Sequence, residues 1–279
     1  MTVPARLAGF AAALAVVLVA AMAAGSAVGP THRAKDQQQA GHGMSGESGM
    51  TPQGLAVANE DFRLIADTSG FQAGRTRTLR FRIADNNGDT VRDFDVEHTK
   101  RLHMIVVRRD LTGYQHVHPV EQTDGSWAIP LRLADPGTYR VFADFTAHGS
   151  DRTTLGTDLI VPGASAAAPL PAPVSRVSVD GYDVAVSSKK AGGNEHELAF
   201  TVTRNGAPIT VEPYLGADGH LVVLREGDLA YLHAHPDAEG KGGPIRFMVE
   251  YPSTGRYRLF LQFKSEGQVH TAAFTQEVQ

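Results

Sequence analysis

From residue 55 onward the chain alternates short apolar stretches with sequences that favour turns. The stretches are rich in Val, Ile, Leu, Phe and Tyr, and turn signals such as Asn86-Asn87-Gly88, Asp124-Gly125 and Asn205-Gly206 separate them. Short stretches enriched in β-branched and aromatic residues are typical of strands. The pattern therefore predicts an all-β structure with frequent tight turns.

The first 30 residues have a different pattern, a long apolar run without charges. Residues 7–28 are dominated by Ala, Val and Leu, and as a helix these 22 residues would be roughly 33 Å long, enough to cross a bilayer. We therefore expect residues 1–30 to form an uncleaved transmembrane helix that anchors the chain. The alternative is a cleaved signal peptide, because Ala21-Met22-Ala23 fits a signal-peptidase site. In both cases the rest of the chain is exported, either anchored at the outer face of the cytoplasmic membrane or secreted.

A polar tail follows the apolar run. Residues 31–54 are rich in Gly, Gln, Ser and His and show no periodicity, so we expect them to be disordered. The tail contains His42, Met44 and Met50. Because thioethers select Cu(I), these residues could serve as a metal-capture arm, although most such tails are only solvated linkers.

The β-rich part of the chain consists of two similar halves. A Pro- and Ala-rich linker, residues 162–173, separates residues 55–161 from residues 174–279. Three sequence blocks recur in the same order: Arg101–Arg108 as Asp218–Arg225, Tyr114–Pro119 as Tyr231–Pro236, and Gly137–Phe142 as Gly255–Phe260. The offset is 117 residues for the first two blocks and 118 for the third, which indicates a duplicated domain.

Each half offers about seven short strands over roughly 100 residues, which is typical of a two-sheet sandwich. The sequence therefore predicts two tandem immunoglobulin-like or cupredoxin-like β-sandwich domains. The chain has no cysteine, so the Cys…Trp…Cys pattern that marks true immunoglobulin domains is absent, and only the architecture is predicted.

The duplicated blocks place three histidines at matching positions in each half. They are His103, His116 and His118 in the first half and His220, His233 and His235 in the second. If Gly227-Asp228 is a two-residue hairpin loop, residues whose numbers sum to 455 lie opposite each other, so His220 faces His235. The same register, across Asp110-Leu111, pairs His103 with His118.

Histidines arranged in this way can converge on one metal ion. Alternate side chains of a strand share a face, and opposed Cβ atoms lie roughly 5 Å apart, with diagonal pairs at about 7–8 Å. Three neutral imidazoles suit Zn(II) or Cu(II) and leave a fourth position open. Candidate fourth groups are Asp144 and His148 in the first half and His270 in the second, where Gln262 takes the position of Asp144.

The same histidines also have an interpretation without metal. Both faces of the hairpin are apolar, since Ile105 and Val107 share the histidine face while Met104 and Val106 take the other. The hairpin is therefore expected to be covered on both sides, and the sister domain is one candidate cover. In that arrangement the histidine faces of the two repeats would pack together as a polar interface. The other histidines, His32, His98 and His196, are expected at the surface.

Composition narrows the functional classes. The absence of cysteine excludes disulfides, thiolate zinc sites, iron–sulfur clusters and a cysteine nucleophile. A net charge of −4 provides no electrostatic basis for nucleic-acid binding. No nucleophile-and-base motif, phosphate loop or dinucleotide fingerprint is present, so we expect a protein that is not an enzyme.

The motif His-Leu-x-Val-x-Arg, with Met104 in place of Leu in the first repeat, is followed by His-x-His-Pro and is duplicated behind an apolar segment and a His/Met/Gly tail. In this respect the chain resembles uncharacterised exported actinobacterial proteins, and more distantly periplasmic copper-resistance and copper-chaperone proteins. It differs from the copper proteins in lacking a Met-rich ligand loop inside the sandwich.

Two functions remain as hypotheses. The first is an extracytoplasmic metal-binding protein that sequesters or transfers copper or zinc through its histidine triplets. The alternative is a membrane-anchored interaction or scaffold protein in which the histidines are structural. The expected partners are a metal ion and the membrane, through residues 7–28, with no protein partner evident from sequence.

Overall fold

A computed structural model describes residues 53–236 and 243–279, and of His233 and His235 it describes only the backbone. Within these residues every regular element is a strand, so the all-β prediction is confirmed. No helix in the described part of the chain is long and apolar enough to cross a membrane. The predicted anchor and the tail with His32, His42, Met44 and Met50 lie outside the described residues.

The first sandwich contains eight strands. They are β1 (Phe62–Ala66), β2 (Thr76–Asp85), β3 (Leu102–Arg108), β4 (Gln115–Val117), β5 (Val120–Glu121), β6 (Trp127–Arg132), β7 (Gly137–Phe145) and β8 (Thr153–Val161). One sheet has the order β1-β2-β6-β5 and the other β4-β3-β7-β8. All pairs of neighbouring strands are antiparallel.

The second sandwich repeats this order with additions at one edge. Its strands are β9 (Arg176–Val179), β10 (Tyr182–Gly192), β11 (Glu195–Arg204), β12 (Ala207–Pro208), β13 (His220–Arg225), β14 (Tyr231–Pro236), β15 (Ile245–Glu250), β16 (Gly255–Ser265) and β17 (Gln268–Val278). The path β17-β16-β13-β14 corresponds to β8-β7-β3-β4, and β14-β15-β11-β10 to β5-β6-β2-β1. The duplication predicted from sequence is therefore present in the topology.

In each repeat the stretch that carries the His-x-His-Pro motif passes from one sheet to the other. In the second repeat β14 pairs with β13 through Tyr231–His233 and with β15 through Ala234–Pro236. In the first repeat the same stretch is split into β4 and β5 by His118 and Pro119. Proline cannot donate a ladder hydrogen bond, which favours a strand break at this point.

The strand order identifies the architecture as immunoglobulin-like. Sheets of order A-B-E-D and C-F-G are those of the constant-type immunoglobulin domain, and the two sheets of each repeat follow this order with β4 or the start of β14 added beside C. Each repeat also has a tyrosine corner at the start of strand F. Tyr139 donates its hydroxyl proton to the Asp135 carbonyl at 3.0 Å, and Tyr257 donates to the Ser253 carbonyl at 2.8 Å.

The predicted hairpin register is present next to the turn of both repeats, but neither ladder reaches the predicted pairs of histidines, and His235 pairs with Met248 of β15 instead of His220. Ile105 lies opposite His116, and Val222 lies opposite His233, so the residue numbers of each pair sum to the expected values. The loops, however, are longer than the predicted two residues. Leu111 and Leu229 adopt left-handed conformations, with φ of 66° and 63°, and both side chains are buried. Burying a leucine contributes about 2 kcal/mol, which offsets a left-handed residue's cost of roughly 1–2 kcal/mol.

Each sandwich has its own core, and a third core lies between the two. This inter-repeat core contains Ile105, Val107 and Phe142 from the first repeat and Val222, Leu224, Tyr231 and Phe260 from the second, together with Leu111 and Leu229. Both sandwiches belong to one compact unit, Ser48–Gln279. The two repeats therefore pack through the sheet faces that carry the histidines.

Candidate metal centre

Three histidines of the first repeat converge beside the inter-repeat core. His103 lies on β3, His116 on β4, and His118 directly after β4. The Nδ1 atom of His103 is 3.1 Å from Nε2 of His116 and 3.2 Å from Nε2 of His118. One ring nitrogen from each residue lies within 4.8 Å of the other two. We call these three residues the first triplet.

Hydrogen bonds behind the first triplet determine which ring nitrogens carry protons. Nε2 of His103 lies 3.0 Å from the Glu97 carbonyl oxygen, and a carbonyl only accepts, so Nε2 is the protonated nitrogen and Nδ1 has a free electron pair. Nδ1 of His116 lies 2.7 Å from Oε1 of Gln262. On its other side the Gln262 amide places Nε2 3.3 Å from Oγ1 of Thr271, and in this amide orientation Oε1 faces His116. With the amide in this orientation Nδ1 of His116 is the donor, and its Nε2 also presents an electron pair.

Two electron pairs therefore face each other across 3.1 Å, between His103 and His116. In neutral rings this contact is repulsive, and a cation placed between the nitrogens turns the repulsion into coordination. Tetrahedral zinc with Zn–N bonds of about 2.0–2.1 Å separates its nitrogen ligands by about 3.4 Å. The two spacings from His103, 3.1 and 3.2 Å, are close to that value, and the nitrogens of His116 and His118 lie within 4.8 Å of each other, so two of the three pairs match tetrahedral zinc as they stand.

The surroundings keep these imidazoles neutral. Burial lowers the pKa of His116 to about 3, although the hydrogen bond to Gln262 opposes the shift. Burial, with a smaller contribution from the charge of His103, lowers the pKa of His118 to about 4. The pKa of His103 is also lowered, chiefly by burial. Neutral imidazole is the form that binds metal ions, so the first triplet is in its ligand form at neutral pH.

The predicted fourth ligands are engaged elsewhere. Asp144 lies opposite His103 on the neighbouring strand, but its carboxylate accepts hydrogen bonds from Arg152 and from the Thr154 hydroxyl. His148 is exposed and lies 2.9 Å from Oδ1 of Asp95, which raises its pKa.

His270 lies on the opposite face of the second repeat's sheet from the candidate site. It is paired with Phe263 across β16 and β17, and Phe263 belongs to the internal core of the second sandwich. The ring of His270 contacts Tyr182, and its Nδ1 lies 2.9 Å from Oδ2 of Asp180. The structure does not bring His270 to the first triplet.

The second repeat contributes His220 to the same cluster. Its ring centroid is 4.4 Å from that of His116 and 5.6 Å from that of His103. The positions of His233 and His235 are known from the backbone, where His233 pairs with Val222 of the inter-repeat core.

Two further residues of the site were not anticipated in these roles. His98, expected at the surface, is partly buried, and its ring lies 6.2 Å from that of His103 and 6.0 Å from that of His220. No spacing rule identifies it, because it lies on a loop between strands. Gln262, noted only as the counterpart of Asp144, orients His116 from the other repeat. His196 is remote from the cluster and contacts Ser188 and Tyr251.

Comparison with known proteins identifies the family. The sequence profile of a family described as a domain of unknown function, DUF8832, matches residues 56–157 and again residues 177–279. The chain belongs to this family. The two matches correspond to the two sandwiches, so the family's unit is one repeat. No curated protein matches the sequence.

Solved structures give only distant matches. A Salmonella alpha-2-macroglobulin reacted with methylamine is 15% identical, with 84% of this chain and 15% of that chain covered and a TM-score of 0.29. A marsupial T cell receptor is 13% identical, with 78% and 62% covered and a TM-score of 0.24. Domains 5–6 of the S-layer protein SbsC are 13% identical, with 77% and 95% covered and a TM-score of 0.21. The chain thus spans a small part of the macroglobulin and less than two thirds of the receptor chain, and no functional argument is drawn from these structures.

Proposed function

We propose that this protein is an extracytoplasmic metal-binding protein that sequesters or transfers copper or zinc. The observation that carries the proposal is the convergence of the three rings, with Nδ1 of His103 and Nε2 of His116 3.1 Å apart and His118 completing the set; the tautomers that satisfy Glu97 and Gln262 leave both of these nitrogens unprotonated. The hydrogen bonds to Glu97 and Gln262 orient the rings as outer partners of metal-ligating histidines do.

The ligand set favours particular ions. Imidazole nitrogens suit zinc and copper, and among divalent ions of the first transition row copper binds most tightly. The first triplet supplies three ligands, and a fourth position remains open to an incoming ligand. An open position allows an ion to pass to another protein by ligand exchange, which suits sequestration or transfer.

The proposal includes an exported location and a role for the polar tail. The uncharged run of residues 7–28 supports membrane attachment or secretion. The tail joins the fold near the site, because the Tyr231 N–H, at the start of β14, donates to the Gln53 carbonyl at 3.0 Å. Met50 precedes Gln53 by three residues in the sequence.

Metal analysis of the full-length chain, purified without an affinity tag, tests the proposal. The protein is incubated with Cu(II) or Zn(II), desalted and assayed for bound metal. We expect His116→Ala to retain about one ion per chain fewer than the wild type, while His148→Ala, which alters an exposed histidine, retains the wild-type amount. Equal retention in wild type and His116→Ala would overturn the proposal.

The alternative is a scaffold in which the histidines are structural. It is supported by the inter-repeat core and by the His116–Gln262 hydrogen bond, both of which join the repeats without metal. A scaffold is expected to bind no ion and to unfold at the same denaturant concentration with and without chelator. A metal-binding protein is stabilised by its ion according to the ion's free concentration and affinity.

A further inference from the structure

We propose that a cleft beneath the linker binds a small organic carboxylate, whose carboxylate group pairs with Arg258 and whose apolar part packs against the walls of the cleft. None of the residues that line this cleft belongs to the first triplet. The site therefore needs no metal ion, and it goes beyond the proposed function.

Arg258 is a cation on the interface side of the second sandwich. It lies on β16 opposite Leu224, a residue of the inter-repeat core, and paired residues of antiparallel strands share a face of their sheet. The side chain is partly buried, and burial lowers the pKa of the guanidinium, which stays charged at neutral pH. Nη1 donates to Oγ1 of Thr275 at 3.0 Å, whereas Nε is buried without an acceptor and Nη2 has none among the described residues. The Nε–Nη2 edge of Arg258 is therefore free.

The equivalent arginine of the first repeat binds oxygen atoms through this same edge. Arg140 matches Arg258 at the offset of 118 residues found for this sequence block. Its Nε and Nη2 donate to the Gly54 carbonyl at 3.2 and 2.6 Å, and Nη2 also donates to the Leu55 carbonyl at 2.8 Å. Its Nη1 donates to Oδ1 of Asp158 at 3.2 Å. The duplicated arginine thus binds oxygen acceptors where the chain supplies them.

The second repeat lacks the carboxylate that pairs with this arginine. Arg140 lies opposite Asp158 across β7 and β8, whereas Arg258 lies opposite Thr275 across β16 and β17. The Thr275 hydroxyl carries no charge and already accepts from Nη1 of Arg258. The positive charge of Arg258 is therefore without a counter-charge among the described residues.

The second repeat also excludes the main chain that supplies carbonyl acceptors in the first. Gly156 and Ala273 are equivalent, because they lie opposite the equivalent residues Phe142 and Phe260. A Cβ atom at Gly156 would lie 2.2 Å from the Gly54 carbonyl oxygen, which is closer than such atoms approach each other. The methyl group of Ala273 thus prevents a main-chain segment from lying where Gly54 lies in the first repeat.

A cleft takes the place of these acceptors beside Arg258. Its volume is about 370 Å³, which is within the range of small-molecule sites. Apolar side chains form most of its walls: Leu111 and Tyr114 from the first repeat, Phe260 and Ala273 from the second, and Pro169 and Pro171 from the linker. The Tyr114 hydroxyl is buried without a hydrogen-bond partner, so it can donate to a ligand oxygen. An unpaired cation and an unpaired hydroxyl group therefore line one largely apolar cleft.

These free donors favour a ligand with a single carboxylate. The Nε–Nη2 edge of a guanidinium presents two N–H groups in one plane, which matches the two oxygens of a carboxylate. The carboxylate of Asp110 also lines the cleft and is already bound by Arg108, so it repels any further negative charge on the ligand. An apolar monocarboxylate therefore fits the cleft better than phosphate does.

Isothermal titration calorimetry on the full-length chain tests the proposal. Chelator treatment and desalting first remove metal ions, so that a carboxylate cannot bind through an ion. The probes are benzoate and hexanoate, their neutral amides benzamide and hexanamide, and inorganic phosphate. We expect at least one of the two carboxylates to bind at one site per chain with a Kd below about 10 mM. The corresponding amide should bind at least about tenfold more weakly, because it has no charge to pair with Arg258.

Matched variants locate the binding site. Arg258→Gln should weaken carboxylate binding about 10- to 100-fold, the usual worth of hydrogen bonds to a charged group, and Tyr114→Phe should weaken it a few-fold. Arg63→Gln makes the same charge change at an exposed arginine of β1 and should bind as the wild type does. His118→Ala alters the first triplet and should also bind as the wild type does.

The proposal fails if neither carboxylate binds, if the amide binds as tightly as its carboxylate, or if Arg258→Gln keeps the wild-type affinity. Tighter binding of phosphate at Arg258 would overturn the ligand class. Loss of carboxylate binding in His118→Ala would contradict the proposed place of the site. The comparison of carboxylate with amide uses the wild type alone, so it decides the question even if Arg258→Gln does not fold.

Discussion

At the scale of single residues, the site depends on the partners behind its ligands as much as on the ligands themselves. His116 presents Nε2 to the first triplet because its Nδ1 donates to Gln262. Gln262 belongs to the other repeat, 146 residues away in sequence. Sequence repetition located the histidines, but it could not locate this hydrogen bond, because no local pattern relates residues that meet only when two domains pack.

Replacing Gln262 by Leu is therefore expected to lower metal affinity about 10- to 100-fold, the usual effect of losing an outer partner of a ligating histidine. Nδ1 of His116 then has no acceptor, and the ring is free to reorient. Competition with a chromophoric zinc chelator measures the change. Gln262→Glu keeps an acceptor oxygen and should stay within a few-fold of the wild type. If the Gln262→Leu and Gln262→Glu variants bind metal with equal affinity, Gln262 does not position His116.

At the scale of elements, each histidine hairpin is closed by an arginine–aspartate pair. Arg108 bonds Asp110 and Arg225 bonds Asp228 through two nitrogens each. Asp110 is the more buried carboxylate, with 6% of its side chain exposed against 39% for Asp228. Burial opposes ionisation of Asp110, but the hydrogen bonds from Arg108 and Thr112 outweigh it and hold its pKa well below the usual range.

Asp110 also anchors the linker. The Ala168 N–H donates to Oδ2 of Asp110 at 2.9 Å, and Leu170 packs against the inter-repeat core. Pro- and Ala-rich sequences show neither strand nor helix periodicity, so the sequence pattern of the linker does not identify a core residue. Its single leucine becomes a packing residue only because the hairpin turn of the first repeat holds the neighbouring backbone.

The two hairpins provide a matched pair of variants. We expect Asp110→Asn to lower the free energy of unfolding by about 2 kcal/mol, because it leaves a partly buried arginine without its counter-charge and weakens the bond to the linker. Asp228→Asn should lower the free energy of unfolding by less than about 1 kcal/mol, since the ion pair of Asp228 is more exposed. Urea denaturation of both variants measures the difference. Equal losses would show that burial and the linker do not distinguish the two pairs.

At the scale of the whole molecule, the two sandwiches share a core and should unfold as one unit. Tyr114 of the first repeat stacks on Phe260 of the second, with ring centroids 4.0 Å apart and planes 9° apart. Phe260 is buried, with 3% of its surface exposed. Domains that share a buried apolar interface of this kind depend on each other for stability, as the halves of a single core do.

Phe260→Ala should therefore lower the free energy of unfolding by about 3–5 kcal/mol. We also expect it to separate the single unfolding transition into two. Far-ultraviolet circular dichroism follows both repeats, while Trp127 fluorescence reports the first repeat, because the chain's one tryptophan lies in β6. In the wild type the two probes should report the same unfolding midpoint. In the variant they should report different midpoints. Ile160→Ala, at a side chain that is 65% exposed, serves as the control. A wild type whose two probes already report different midpoints would contradict a shared core.

The sequence by itself determined the strands, the duplication and the hairpin register. These follow from local periodicity and from repetition at a constant offset, since side chains of a strand alternate between faces whatever the strand packs against. The sequence thus placed His103, His116 and His118 on one face, and it left open whether the histidine faces of the two repeats meet. Tertiary structure alone decided that question. In the folded chain Gln262 lies beside His116 and His220 lies beside His103. His98 lies near both His103 and His220. His270 faces the core of its own sandwich. Contacts between domains depend on how whole sheet faces fit together, and no pattern within one segment records that fit.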